Sequence, residues 1–135
     1  MASNRIKIAS AKAKGRILQK RVAEMISKVL CIPVEKDGEI EPRPMGQTGR
    51  DVILRGRAKE LFCFHGIECK NSEKVSIWDA IRQAESHGGK PIVFFKRNNS
   101  DIYVVLKAAD FFELYEQVIK ERVPNVGHKT ECDQD

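Results

Sequence analysis

Two oppositely charged side chains, Glu68 and Lys70, lie two residues apart in the segment GIECK (residues 66–70), at the end of an apolar run. Because alternate residues of a β-strand project from the same face, both side chains are expected to point to one side. A carboxylate can hold Mg²⁺, and an ammonium can hold a water or stabilise charge on a phosphate. A second carboxylate is available from Asp51, which heads the apolar run DVIL. Taken alone, the Glu-x-Lys triplet is equally typical of a solvated strand end with a weak ion pair.

Length and composition describe a single protein domain in a reducing compartment. The chain has 135 residues, and its mean hydropathy is −0.41. This length predicts one domain with its own core, and no apolar run approaches the ~20 residues that span a bilayer. The N-terminal residues lack the apolar stretch of a secretory signal. Four cysteines without the spacing of a disulfide framework favour a cytoplasmic location.

Basic residues are concentrated at the N-terminal end of a chain whose net charge is +5. The basic residues that precede the first acidic residue, Glu24, are Arg5, Lys7, Lys12, Lys14, Arg16, Lys20 and Arg21. A block of one sign indicates an anionic partner, most often a nucleic acid. For Arg5 and Lys7 a solvated tail is an equal alternative. Lys14, Arg16, Lys20 and Arg21 belong to a predicted helix and are expected to contact DNA phosphates.

The first predicted helix runs from about Ala11 to Leu30. Its predicted apolar stripe consists of Leu18, Val22, Met25 and Val29. Gly15 disfavours a helix interior by roughly 1 kcal/mol relative to alanine. We therefore expect either that the helix begins near Gly15 or that another backbone passes close to it.

The remaining pattern predicts a mixed α/β fold, with a small mixed β-sheet flanked by helices in the order α-β-β-α-β-β-α. Residues 31–50 contain several prolines and glycines and are predicted to be a connection. Strands are predicted at 51–54, 61–70, 91–96 and 101–106, and helices from an N-cap at Ser76 to about His87 and at 110–121. The predicted organisation is a flexible basic arm (1–9), one domain (10–122) and a polar C-terminal tail (123–135).

These features together resemble the PD-(D/E)xK nuclease superfamily, and within it the small Holliday-junction resolvases and related phage endonucleases. The resemblance rests on KGR (residues 14–16) with Gln19, on Asp51, on IECKN (residues 67–71), and on Gln83 in the following helix. It implies a restriction-endonuclease-like core and a Mg²⁺-dependent endonuclease, with Mn²⁺ as an alternative metal. It also implies branched DNA as a substrate, a homodimer, and a bacterial or phage-infected cell.

The resemblance assigns roles to single residues. Asp51, Glu68 and the backbone carbonyl of Cys69 would bind the metal, and Lys70 would orient the attacking water or stabilise the transition state. Gln83 would be a further active-site residue.

Two positions depart from the family pattern. The first helix of the family usually carries a glutamate near the metal, whereas this chain has Gln19, whose amide suits the positioning of a water or a phosphate. Arg50 stands where the family has a proline.

Two other functions are compatible with the residues. Cys63, His65 and Cys69 share one strand parity, and His128 and Cys132 have H-x3-C spacing, so a structural zinc site is an alternative. Buried thiols explain the same cysteines. A non-catalytic nucleic-acid-binding protein on the same fold is the other alternative, and Gln19 keeps it open.

Three further side chains have a less specific pattern. Trp78 could stack on a base, but its place in the first turn of an amphipathic helix favours core packing. Lys96 and Arg97 close the third strand, where they either contact phosphate or are solvated.

Overall fold

The computed structural model describes residues 2–123, with side chains from residue 10 onward. The chain divides into two compact units, Met1–Val105 and Leu106–Asp135. Of the predicted C-terminal tail, only Val123 belongs to the described residues, and the side chains of Arg5 and Lys7 lie outside them.

The predicted mixed α/β class is confirmed. In chain order the elements are α1 (Ala2–Leu30), β1 (Ile40–Pro42), β2 (Val52–Leu54), α2 (Gly56–Leu61), β3 (Gly66–Asn71), α3 (Ile77–Ser86), β4 (Pro91–Lys96), β5 (Tyr103–Leu106) and α4 (Ala108–Arg122). The predicted order lacked β1 and α2. The strands form two small sheets rather than one: β1 pairs with β2 antiparallel, and β3, β4 and β5 follow one another in the second sheet.

Helix α1 begins at Ala2, well before the predicted start near Ala11. Its buried face consists of Leu18, Val22, Ala23 and Ile26. The predicted stripe was therefore wrong in its second half, because Met25 and Val29 are exposed. Met25 and Ile26 both fit helical spacing from Val22, three and four residues further on, and the packing buries Ile26 rather than Met25.

Gly15 lies inside α1, and neither expectation for it holds. The helix starts thirteen residues earlier, at Ala2, and apart from its chain neighbours and the adjoining backbone of α1, no heavy atom of the described residues lies within 4 Å of the place where a Cβ would stand. The space beside Gly15 is open.

The connection between α1 and β2 contains the hairpin that places Asp51. Pro42 pairs with Val52 at the end of the edge strand β1, where the missing N–H of proline is tolerated. Residues 61–65, predicted as strand, are not, because α2 continues to Leu61 and β3 begins only at Gly66. The Glu39 carboxylate accepts a hydrogen bond from Ala58 N (3.1 Å) in the first turn of α2, which satisfies a backbone donor there.

Strands β3 and β4 are parallel, with α3 as their crossover connection. Ser76 caps α3 as predicted, accepting from Asp79 N at 3.4 Å, and Gly88 and Gly89 follow its end with positive φ. At Gly66 the strand passes α3 so closely that a Cβ would stand 2.5 Å from the Ala84 carbonyl oxygen. The expectation that Trp78 packs in the core is wrong: its side chain is 74% exposed.

The second unit contains α4. Phe111 and Tyr115, one turn apart, have ring centroids 6.2 Å from each other, and Lys120 pairs with Glu116 at 3.1 Å. Among the described residues, no helix is both long and apolar enough to cross a membrane, the 29-residue α1 included.

Candidate active site

Asp51 is fixed against the edge of β3 that does not pair with β4. Its N–H donates to the Ile67 carbonyl (3.0 Å), and its Oδ2 accepts from Cys69 N (2.6 Å). The side chain is buried. Because the N–H and C=O of one strand residue point to the same edge, the Cys69 carbonyl faces the side on which Asp51 lies.

Glu68 is the second buried carboxylate, and each of its oxygens has a partner. Nε2–H of His87 donates to Oε1 at 2.9 Å, and the Lys70 ammonium lies 3.2 Å from Oε2. Glu68 and Lys70 therefore share a face of β3, as their spacing predicted.

Gln83 reaches the site from α3. Its Oε1 accepts a hydrogen bond from Lys70 Nζ at 2.5 Å. The Lys70 side chain is about one-third exposed, at 32%, so its ammonium lies where the site opens to solvent. Lys70 thus has one partner on its own strand and one on the crossover helix.

Oδ1 of Asp51 is held from the opposite side by Gln19 and Arg43. Gln19 Nε2 donates to this oxygen at 3.1 Å, and Arg43 Nη1 lies 3.2 Å from it. Arg43 Nη1 also donates to the Gly49 carbonyl at 2.9 Å. Gln19 therefore contacts a carboxylate directly.

Two buried carboxylates close together shift the protonation of Asp51. Burial, followed by the negative charge of Glu68, raises the pKa of Asp51 from 3.8 to about 6, against the opposing Cys69 hydrogen bond and the charges of Arg43 and Lys70. Burial, followed by the same two carboxylates, raises the pKa of the Cys69 thiol well above its usual value. The thiol is therefore neutral at physiological pH and is not a nucleophile.

These groups line one cavity of about 370 Å³, which we call the carboxylate cavity. Its lining residues are Gln19, Arg43, Gly49, Asp51, Glu68, Cys69, Lys70, Gln83, Ser86 and His87. All the residues predicted as catalytic or metal-binding lie on it, and they come from three elements, α1, β3 and α3, together with Asp51, the residue preceding β2.

The predicted DNA-binding residues are divided among several places. Arg16 lines a second cavity next to the first. Lys14 is half-buried, whereas Lys20 and Arg21 are exposed and line neither cavity. Lys96 and Arg97 line a separate cavity.

Three residues that the sequence analysis did not assign to the site also line one or both of these two cavities: Lys12, Arg43 and His87. Lys12 was detectable, because it lies at i, i+4 and i+7 spacing with Arg16 and Gln19 on one face of α1. His87 and Arg43 depend on long-range contacts that no local pattern encodes.

Arg50, the residue before Asp51, contacts the end of α3. Its Nη2 donates a hydrogen bond to the carbonyl of His87, the C-cap residue of α3. The residue beside Asp51 thereby holds the residue that contacts Glu68.

The donor set of the carboxylate cavity fits a hard divalent cation. Asp51 and Glu68 offer carboxylate oxygens, which Mg²⁺ prefers, and a cation would neutralise the negative charge of this buried pair. These are two carboxylates; among residues 10–123 no group of three or more His, Cys, Asp or Glu side chains is placed to hold a metal.

The zinc alternative has no support among the described side chains. Nε2–H of His65 donates to the Lys59 carbonyl at 2.6 Å, and Cys69 lies in the carboxylate cavity rather than in a cluster with Cys63. The other proposed ligands, His128 and Cys132, lie outside the described residues.

The arrangement can bind a divalent cation through oxygen and donate hydrogen bonds from an ammonium and two amides into the same space. The cavity is open to solvent. Comparison with known protein families, curated proteins and solved structures gives no match for this chain.

Proposed function

We propose that the protein is a metal-dependent DNA endonuclease that hydrolyses phosphodiester bonds with Mg²⁺, or alternatively Mn²⁺. The observation that carries the proposal is the convergence of buried Asp51 and Glu68 with Lys70 on one open cavity. The resemblance to junction resolvases and phage endonucleases adds branched DNA as a substrate, a homodimer as the assembly, and a bacterial or phage-infected cytoplasm as the setting.

Asp51, Glu68 and the Cys69 carbonyl would hold the cation. When bound, Mg²⁺ supplies a water of lowered pKa and stabilises the phosphate oxygens that gain charge. The protein contributes the preorganisation of its ligands: the Cys69 N–H fixes one oxygen of Asp51, and Gln19 fixes the other. His87 and Lys70 fix the two oxygens of Glu68.

Lys70 is the group best placed to act on the substrate. In hydrolysis the oxygen of a water bonds to phosphorus, one ester P–O bond breaks, and the leaving oxygen takes a proton. Negative charge grows on the non-bridging oxygens, and an ammonium aimed at them lowers the barrier. Gln83 and Glu68 engage two of the three ammonium donors of Lys70, which leaves one for a phosphate or a water.

A single-turnover assay tests the proposal. Asp51→Asn and Glu68→Gln keep the shape of the side chains but remove the anionic oxygens, so cleavage of a labelled four-way junction and of a linear duplex should drop to background. Binding measured in Ca²⁺ should persist. Asp101→Asn and Glu24→Gln, which alter exposed carboxylates, are the matched controls and should cut like the parent. Cleavage at the parental rate by both site variants would exclude this site as the catalytic centre.

Gln19 favours a second candidate, a nucleic-acid-binding protein without catalysis. Its amide stands where the nuclease family places a glutamate, and it makes a hydrogen bond that holds Asp51 without a metal. On this reading the parent binds DNA in Ca²⁺ but cuts no junction, duplex or single strand in Mg²⁺ or Mn²⁺. Gln19→Glu then provides a gain-of-function comparison, because it restores a third carboxylate.

A further inference from the structure

A second cavity, of about 400 Å³, shares Gln19 and Arg43 with the carboxylate cavity. Its volume lies within the range of roughly 300–1,000 Å³ of ligand-binding sites. Among the side chains of residues 10–123, three cationic ones line it, Lys12, Arg16 and Arg43, and no carboxylate does. We call it the cationic cavity; its lining favours an anionic ligand.

The charged residues of the cationic cavity come from two separate elements. Lys12 and Arg16 lie one turn apart on α1, and Arg43 follows β1. Arg43 stands at the boundary of the two cavities, since its Nη1 contacts Asp51 at 3.2 Å. A ligand that reaches from one cavity into the other therefore passes this guanidinium.

The other parts of the lining leave the cationic cavity open enough for a polynucleotide strand, instead of enclosing a small molecule. On one side is the turn 44–47, closed by a hydrogen bond from Gln47 N to the Pro44 carbonyl (3.2 Å), with Gly46 at φ +80°. On the other side is Gly15, where the missing side chain leaves open space beside Lys12 and Arg16. A glycine inside a helix weakens it by about 1 kcal/mol relative to alanine, so this opening is retained at a cost in helix stability.

We propose that the cationic cavity binds the phosphodiester next to the one that is cut, on the same DNA strand. The inference rests on the proposed nuclease function, because it takes the carboxylate cavity as the place of the reacting phosphate. Consecutive phosphates of a strand are spaced closely enough that two adjoining cavities hold neighbouring groups. Lys12, Arg16 and Arg43 are then binding residues for the non-reacting phosphate, and the substrate must be a polynucleotide.

The salt dependence of DNA binding, measured in Ca²⁺ with a labelled duplex, tests the proposal. Each phosphate contact contributes roughly −0.9 to the slope of log affinity against log salt. Lys12→Gln/Arg16→Gln should flatten this slope by about one unit. Lys28→Gln/Lys36→Gln is the matched control: it removes the same charge from exposed residues that line neither cavity, and its slope should stay near the parental value.

Gly15 provides a second test that changes no charge. Gly15→Leu should obstruct the cavity and weaken DNA binding. Gly15→Ala adds a Cβ that meets no atom within 4 Å and should bind like the parent. Circular dichroism of each variant establishes that α1 remains folded.

The outcomes separate this inference from the proposed function. Equal slopes for the two double variants, in a parent that still cuts DNA, overturn the cavity assignment and leave the nuclease intact. A flattened slope only in Lys12→Gln/Arg16→Gln supports the assignment even if the parent cuts nothing. A mononucleotide that displaces the duplex at micromolar concentration would show that the cavity serves a free nucleotide, and it would overturn the proposal.

Discussion

His87 donates from Nε2 to Oε1 of Glu68 across a distance of 2.9 Å, linking the C-cap of α3 to the middle of β3. Lys70 occupies the other oxygen of the same carboxylate at 3.2 Å. The orientation of Glu68 is thus fixed by one neighbour on its own strand and by one on the crossover helix. Since the Arg50 side chain holds the His87 carbonyl, the position of that helix end is itself fixed from the β2 side.

Loss of His87 should therefore weaken the affinity for the metal. Partners that orient a ligand typically contribute 10- to 100-fold, and we expect His87→Ala to raise the Mg²⁺ midpoint of single-turnover cleavage by about that factor. His87→Gln, which retains a donor, should recover part of the loss. His65→Gln is the control, because His65 contacts the Lys59 carbonyl instead. An unchanged Mg²⁺ midpoint in His87→Ala, measured also by metal-induced thermal stabilisation, would contradict this role.

The raised pKa of Asp51 predicts that the metal-free protein loses stability as the pH increases from about 4 to about 6. The folded state retains a proton on Asp51 up to its pKa of about 6, whereas the unfolded chain releases it near 3.8. A raised folded-state pKa gives stability that is present below the unfolded value and is lost as the pH passes the folded one.

Asp51→Asn isolates this effect. At pH 7.5 without metal, the variant should be more stable than the parent by on the order of 2 kcal/mol, and the difference should vanish near pH 3.5. Mg²⁺ should raise the melting temperature of the parent but not of the variant. Urea unfolding at both pH values provides the measurement, and a parent as stable as Asp51→Asn at pH 7.5 would argue against a strained carboxylate pair.

Lys70→Ala should separate catalysis from metal binding. The variant loses one donor to developing charge, which corresponds to about 10²–10³ in the rate of the chemical step. The Mg²⁺ midpoint should shift less than in His87→Ala, because Lys70 is about one-third exposed and its pairing with Glu68 is screened by solvent. Gln83→Ala should reduce the rate less than Lys70→Ala. A Lys70→Ala enzyme with the parental rate at saturating Mg²⁺ would remove Lys70 from the mechanism.

Substitution by alanine should have opposite effects on the free energy of unfolding at Gly66, which is closely packed, and at Gly15, which faces open space. Gly66→Ala places a Cβ 2.5 Å from the Ala84 carbonyl oxygen, and displacing that backbone should destabilise the fold by about 1–3 kcal/mol. Gly15→Ala enters open space inside α1 and should stabilise it by about 0.5–1 kcal/mol. Chemical unfolding of the two variants and the parent measures both changes in stability, and the prediction fails if Gly66→Ala is not destabilised or Gly15→Ala is not stabilised.

The sequence predicted those elements whose ends are marked by cap and turn residues close to them in the chain. Ser76 marks the start of α3, and Gly88 and Gly89 mark its end. The pattern did not reveal β1, because Pro42 argues against a strand unless the strand lies at an edge. It also placed Met25 on the buried face of α1, since Met25 and Ile26 both satisfy helical spacing from Leu18 and only packing distinguishes them.

The sequence predicted which side chains of the site lie together only where they belong to the same strand or helix. The alternation of Glu68 and Lys70 placed them together, and Asp51 was predicted as the second carboxylate because it heads an apolar run. Gln83 was predicted from the resemblance to the nuclease superfamily. Arg43 and His87 were not predictable, because their contacts join positions that only the folded chain brings together. Trp78 shows the opposite error: it was assigned to the core because it is apolar and lies on an amphipathic helix, but its side chain is exposed.

The crossover helix α3 follows β3 in the chain, so it contributes the last residues of the site during synthesis. Chains are made from the N-terminus, so Asp51 and Glu68 leave the ribosome before Gln83 and His87. A nascent chain that ends before α3 holds both carboxylates but lacks the two α3 partners that orient Glu68 and Lys70. On our proposal, the growing polypeptide gains its complete cutting centre only after the crossover helix has been translated.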